Sequence, residues 1–138
     1  MEKQTLKNIL NFLEENEEKK HKYKNTFIWK DVFNESLTKE DLVFKGDLYL
    51  ENLDISGLPE GLQVDGDLNL YSSPIQELPK GLKIRGDLDL YGSDIDKLPE
   101  GLKVGGDLYI HATPLTKYLY DDLRQMVKPG FIKGIIYR

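Results

Sequence analysis

From Leu42 onward the apolar and polar positions of this chain recur at a fixed period, and that period precedes any reading of single helices or strands. Gly46-Asp47-Leu48 returns as Gly66-Asp67-Leu68, Gly86-Asp87-Leu88 and Gly106-Asp107-Leu108, a spacing of twenty each time. Leu58-Pro59, Leu78-Pro79 and Leu98-Pro99 fall between these triplets, each followed by a residue, a glycine and a leucine (Leu62, Leu82, Leu102). Val64, Ile84 and Val104 come two positions later, and Ile55, Ile75, Ile95 and Leu115 complete the set. Within each G-D-L-x-L stretch apolar and polar residues alternate, the period of a strand with one buried face. The pattern predicts short parallel strands near residues 47–50, 67–70, 87–90 and 107–110. One such unit cannot bury its own apolar side, whereas stacked copies share a continuous core. Gly61, Gly81 and Gly101 are expected to supply a turn that a β-carbon would obstruct, and the glycine before each aspartate to allow a sharp corner.

The flanks carry other periods. Leu6, Ile9, Leu10 and Leu13 fall at helical spacing and predict an amphipathic helix over about residues 4–20. Phe27, Ile28, Trp29, Val32 and Phe33 form an aromatic-rich connection. Leu42 and Phe44 sit one full period before Leu62 and Val64, which makes them a half-repeat. Leu119, Leu123, Met126 and Val127 predict a second amphipathic helix, stopped by Pro129-Gly130, and Phe131 to Tyr137 reads as a last strand. Open solenoid ends need lids, so both helices are expected to cap the core. The organisation is an N-terminal helix and cap (1–45), a solenoid (46–115) and a C-terminal capping helix and strand (116–138). All three belong to one folded unit of the α+β repeat class.

The stretch L-x-L-x-x-x-x-I-x-x-L-P resembles the leucine-rich repeat in its short, Leu-Pro-bearing bacterial form. The longer unit L-P-x-G-L-x-V-x-G-D-L-x-L is more similar still to uncharacterised repeat proteins of bacteria and bacteriophages. The resemblance covers residues 46–115 and implies a leucine-rich-repeat-like parallel β-solenoid. Leu53, Ser73, Ser93 and Thr113 occupy the slot where such repeats carry a ladder asparagine. A hydroxyl can bond backbone there but Leu53 cannot, so the first turn is expected to be irregular.

Hydrophobic content of 39% and charged content of 31% are those of one ordinary globular domain. There is no cysteine, so disulfides, thiolate metal sites and cysteine nucleophiles fall away together. The stretch from Met1 to Leu13 lacks a continuous apolar core, no membrane span is expected, and the chain reads as cytoplasmic. The net charge of −5 is unevenly spread: residues 46–110 hold thirteen acids against five bases, and residues 111–138 five bases against two acids. An acidic repeat region points away from direct nucleic-acid binding and toward a basic protein.

If Leu48, Leu50 and their equivalents point inward, the alternate positions face out, onto the concave sheet that solenoids use for binding. These columns are Asp47, Asp67, Asp87 and Asp107; Tyr49, Asn69, Asp89 and Tyr109; and Glu51, Tyr71, Tyr91 and His111. They hold six acids, four tyrosines and no Lys or Arg, while Lys80, Lys83, Arg85, Lys97 and Lys103 lie elsewhere. Exposed tyrosine is a residue that interfaces favour, being large, stiff and half polar. The aspartates also have a turn reading, each carboxylate accepting backbone N–H groups. Asp89, Glu51 and the tyrosines have no such role in the sequence.

No catalytic constellation is visible. His21 lies in a Lys-rich stretch, His111 has no nucleophile partner, and neither belongs to a metal-ligand spacing; no cofactor is expected. The leading expectation is a protein-binding module whose partner carries a basic surface, as nucleic-acid-binding proteins do. Similarity to phage proteins points further, to an inhibitor of a host nucleic-acid-handling or defence protein, an anti-CRISPR type of role. A structural or assembly component is the rival, and an enzyme with a carboxylate site the third reading.

Overall fold

Each repeat unit carries two two-residue strands joined by a short corner, and a longer return leg follows the second strand. The computed structural model describes residues 42–52 and 57–138, and these form a parallel β-solenoid. The first sheet stacks β1 (Val43–Phe44), β3 (Gln63–Val64), β5 (Lys83–Ile84), β7 (Lys103–Val104) and β9 (Phe131–Ile132). The second stacks β2 (Leu48–Tyr49), β4 (Leu68–Asn69), β6 (Leu88–Asp89), β8 (Leu108–Tyr109) and β10 (Ile136–Tyr137). Pairing follows the repeat: Leu48 lies against Leu68, Leu68 against Leu88 and Leu88 against Leu108.

The second sheet occupies the anticipated positions. The first was not anticipated, because the alternation Leu62-Gln63-Val64 and its copies spans only two apolar positions directly after a Leu-Pro-x-Gly turn. Phe131 to Tyr137, expected as one strand, forms two, β9 and β10, one in each sheet. Ile136 pairs with Leu108, a longer step along the chain than the one from Leu48 to Leu68. The segment is thus a further coil whose return leg is lengthened by a 3-10 turn (Pro114–Lys117) and the helix α1 (Tyr120–Met126).

Inward residues of both sheets and of the return leg share one core. Leu62, Val64, Leu68, Leu70, Ile75 and Leu78 of one coil are buried, as are their equivalents in the next. Leu123 of α1 and Val127 behind it join that core. Leu119, expected on the apolar face of the helix, is instead 67% exposed. It precedes α1 in extended conformation, where its backbone N–H donates to the Asp122 carboxylate.

The glycines divide by cause. Gly61, Gly81 and Gly101 have φ of +81°, +72° and +80°, a region that side chains disfavour. At Gly81 nothing lies within 4 Å of an added β-carbon, so backbone conformation and not obstruction selects glycine there. The helix expected near residues 4–20, the aromatic stretch around Trp29, His21, Leu53 and Ile55 lie outside the described residues.

Candidate functional site

The twelve outward positions of the second sheet sort into three columns with different local roles. In the first, each aspartate reaches to the next coil. Oδ1 of Asp47, Asp67 and Asp87 accepts the backbone N–H of Asp67, Asp87 and Asp107 in turn, each at 2.7 Å. Asp107 Oδ1 accepts the N–H of Ile135 at 2.8 Å, and Ile135, with no carboxylate, ends the series. These aspartates join successive coils, which answers the turn reading of the sequence with a longer-range role. Gly46, before the first aspartate, has φ of +98°, as a corner needs, but the glycines of the later coils have another reason: a β-carbon on Gly66, Gly86 or Gly106 would meet the previous coil's aspartate Oδ1 at 2.3, 2.0 and 2.1 Å. None of these three glycines has positive φ, so space and not a sharp corner selects them.

In the second column Asn69 and Asp89 do the same work. Asn69 Oδ1 accepts the N–H of Tyr71, and Asp89 Oδ1 that of Tyr91, both at 2.9 Å. Asp89 therefore has a local turn role that the sequence reading denied it, and Asn substitutes for Asp because only the carbonyl-type acceptor matters there. Tyr109, in the same column, stacks on Tyr137 with ring centroids 4.9 Å apart. Its partial burial, then the charges of Asp87 and Asp107, and then Tyr137 and Asp89, hold the Tyr109 hydroxyl above the ordinary tyrosine pKa. Tyr49 donates to Asp47 Oδ2 at 3.2 Å.

The third column is an aromatic ladder. Tyr71 and Tyr91 stack with centroids 4.8 Å apart and planes 4° from parallel, and His111 continues the row at 6.1 Å, tilted by 36°. Stacking on the coil pitch holds each ring with its neighbour and leaves both tyrosines 39% exposed. Glu51 begins this column on the first coil.

Of the five repeat-region cations absent from this face, Lys83, Arg85 and Lys103 lie on the first sheet. Its outward positions carry Lys45, Lys83, Arg85, Lys103 and Lys133, all exposed, with Asp65 the one acid among them. The signal was present in the alternation Leu82-Lys83-Ile84-Arg85, which needed a strand assignment to be read as a face. A groove of about 540 Å³ also crosses the Leu-Pro corners, lined by residues of mixed charge including Glu77, Lys80, Asp96 and Lys97. None of the twelve second-sheet positions lines it. Among the described residues no helix is long and apolar enough to cross a membrane, and no cluster of three or more His, Asp or Glu has metal-binding geometry. Comparison with protein-family models, curated proteins and solved structures gives no match to the chain.

Proposed function

We propose that this chain is a protein-binding solenoid module of leucine-rich-repeat type, which engages a basic protein surface through the outward face of its second sheet. The observation that carries the reading is the composition and order of that face. Six acids and four tyrosines stand there without one Lys or Arg, and Tyr71, Tyr91 and His111 are held in a preformed row. Rings already fixed by stacking lose little freedom on binding, and central aromatics contribute much of an interface's energy. The carboxylates around them attract a cationic partner and speed its approach. A nucleic-acid-handling or defence protein of a host cell fits that chemistry, and the biological role that follows is an inhibitor of anti-CRISPR type. Assembly through the chain ends has less support at the C-terminal end. There the Arg124 guanidinium donates to the carbonyls of Ile132 and Gly134, which would otherwise face outward from the last coil.

The test is capture of a partner from host lysate, followed by binding measurements with two variants. Tyr71→Ala/Tyr91→Ala removes the ring row. Glu51→Gln/Asp89→Asn lowers the charge and keeps the acceptor at position 89, leaving the aspartates that join the coils untouched. The tyrosine variant should dissociate faster, and the charge variant should associate more slowly with a shallower salt dependence. A partner bound equally well by both variants and the parent would place the site elsewhere.

A further inference from the structure

The chain is two-faced: the first sheet is basic outside, the second acidic, and both repeat on one pitch. Strands stack about 4.8 Å apart in either sheet. Lys83 and Lys103 are register partners in the first sheet, and Asp67, Asp87 and Asp107 follow one another on successive coils of the second. Arg85 lies two positions beyond Lys83 on the same face, and Lys45 and Lys133 extend the cationic stripe to the first and last coils. Among the described residues Lys83, Arg85 and Lys103 make no ion pair.

We infer that the basic face of the first sheet docks on the acidic face of a second copy of this chain, side by side with coils in step. The match has two independent parts. The signs are opposite, with five cations and one acid on one face against six acids and no Lys or Arg on the other. The spacings are equal because the same coil rise sets both, so a contact of Lys83 and Arg85 with one coil of the acidic face places Lys103 and Lys133 opposite the coils that follow, while the coil of Gln63 and Asp65 adds no cation. An unrelated anionic surface has no reason to share that pitch. Each exposed pair contributes little alone, but a row formed on a rigid scaffold adds its members together. Because the two patches are different, the contact is heterologous and leaves a free face of each sign on every open assembly, so a pair of chains can add a third. Growth is therefore sideways, away from the end that Arg124 covers. This inference needs only the two faces and stands apart from the identity of any host partner; a basic partner would compete with the second copy for the acidic face.

Sedimentation of the purified full chain tests it without any partner. At about 0.01 M salt, where screening acts over about 30 Å, mass should rise with concentration beyond two chains; at about 1 M, where it acts over about 3 Å, one chain should remain. Two variants separate the faces: Lys83→Glu/Arg85→Glu/Lys103→Glu on the first sheet, and Glu51→Lys/Asp89→Asn/Tyr91→Lys on the second. Each alone should be a single chain with a native circular dichroism spectrum. An equimolar mixture of the second-sheet variant with a neutral Lys83→Gln/Arg85→Gln/Lys103→Gln form, whose first sheet has lost its central cations without gaining acids, should give a two-chain species and nothing larger, because each keeps one usable face. Alone, that neutral form, which retains long side chains, should also fail to assemble and guards against misfolding of the reversed form. A parent that stays a single chain at low salt, variants that assemble like the parent, or a mixture that does not pair would each overturn the inference. A single-chain parent that binds heparin or single-stranded DNA through Lys83, Arg85 and Lys103 would overturn it in favour of a polyanion site.

Discussion

Asp67 Oδ1 lies 2.7 Å from the backbone nitrogen of Asp87 and occupies the space where a side chain on Gly86 would begin. The Gly-Asp pair is thus one device: the glycine on each coil makes room for the carboxylate of the coil before it. Gly86→Ala forces its β-carbon to 2.0 Å from that oxygen and should cost about 3 kcal/mol as an overpacked site. Gly81→Ala meets no atom within 4 Å and carries only the left-handed penalty, about 1–2 kcal/mol. In Asp67→Ala/Gly86→Ala the two losses should fall short of additive by about 1–2 kcal/mol, because the first change opens the space for the second. Additive losses in urea melts would mean that the carboxylate does not govern the glycine column.

How much of this was legible follows from distance along the chain. The second sheet could be read because Leu48 and Leu50 alternate with polar residues over five positions. The partner of each aspartate could not, because it lies a whole coil away and is a backbone amide, identical in every residue type but proline. The last coil was hidden by its longer return leg, which breaks the period between Leu108 and Ile136. On the candidate face the residue types were plain, but the pairing of Tyr71 with Tyr91 needed the register of β4 and β6. The basic face stayed unseen until the first sheet was in place.

Inside and outside can be tested by a single comparison. Leu88 is fully buried and Tyr91 is 39% exposed, so Leu88→Ala should cost about 2–5 kcal/mol through transfer and cavity. Tyr91→Ala loses a stacked neighbour and should cost about 1 kcal/mol. Equal losses in denaturant melts would show the two faces to be exchanged.

The buried hydroxyl column should respond unevenly. Thr113 Oγ1 donates to the Ile110 carbonyl at 2.7 Å and accepts from the Leu115 N–H at 3.2 Å, so Thr113→Val should cost about 1–2 kcal/mol. Ser93 Oγ is buried with no hydrogen-bond partner among the described residues, and Ser93→Ala should leave stability unchanged or raise it. A large loss at Ser93 would show that its hydroxyl finds a partner in solution.

Arg124 holds the carbonyl edge of the last coil with charge-assisted hydrogen bonds, which contribute about 1.5–3 kcal/mol each when one partner is charged. Arg124→Met keeps the bulk of the stem and leaves Ile132 and Gly134 with open acceptors. The variant should melt earlier, and light scattering at high salt should reveal aggregation that the parent lacks, since salt suppresses charge pairing but not edge pairing. A variant as stable and as dispersed as the parent would remove the guarding role from Arg124.

The stability of the solenoid should respond to alkali through Tyr109. Its partial burial, followed by the carboxylates of Asp87 and Asp107, raises the hydroxyl pKa in the folded chain. The unfolded chain ionises this group at about pH 10. In the interval above that value the folded state binds more protons than the unfolded one, so stability falls as pH rises. The contribution is complete below about pH 10 and is lost as pH climbs through the raised folded value. Tyr109→Phe keeps the ring against Tyr137 and removes the ionising group. Its stability should decline less steeply over this interval than the parent's, with the two curves parallel at neutral pH. A tyrosinate absorbance titration of the parent should contain a late-ionising step that vanishes in the variant. If parent and variant lose stability in parallel through the alkaline range, the Tyr109 hydroxyl is not coupled to folding.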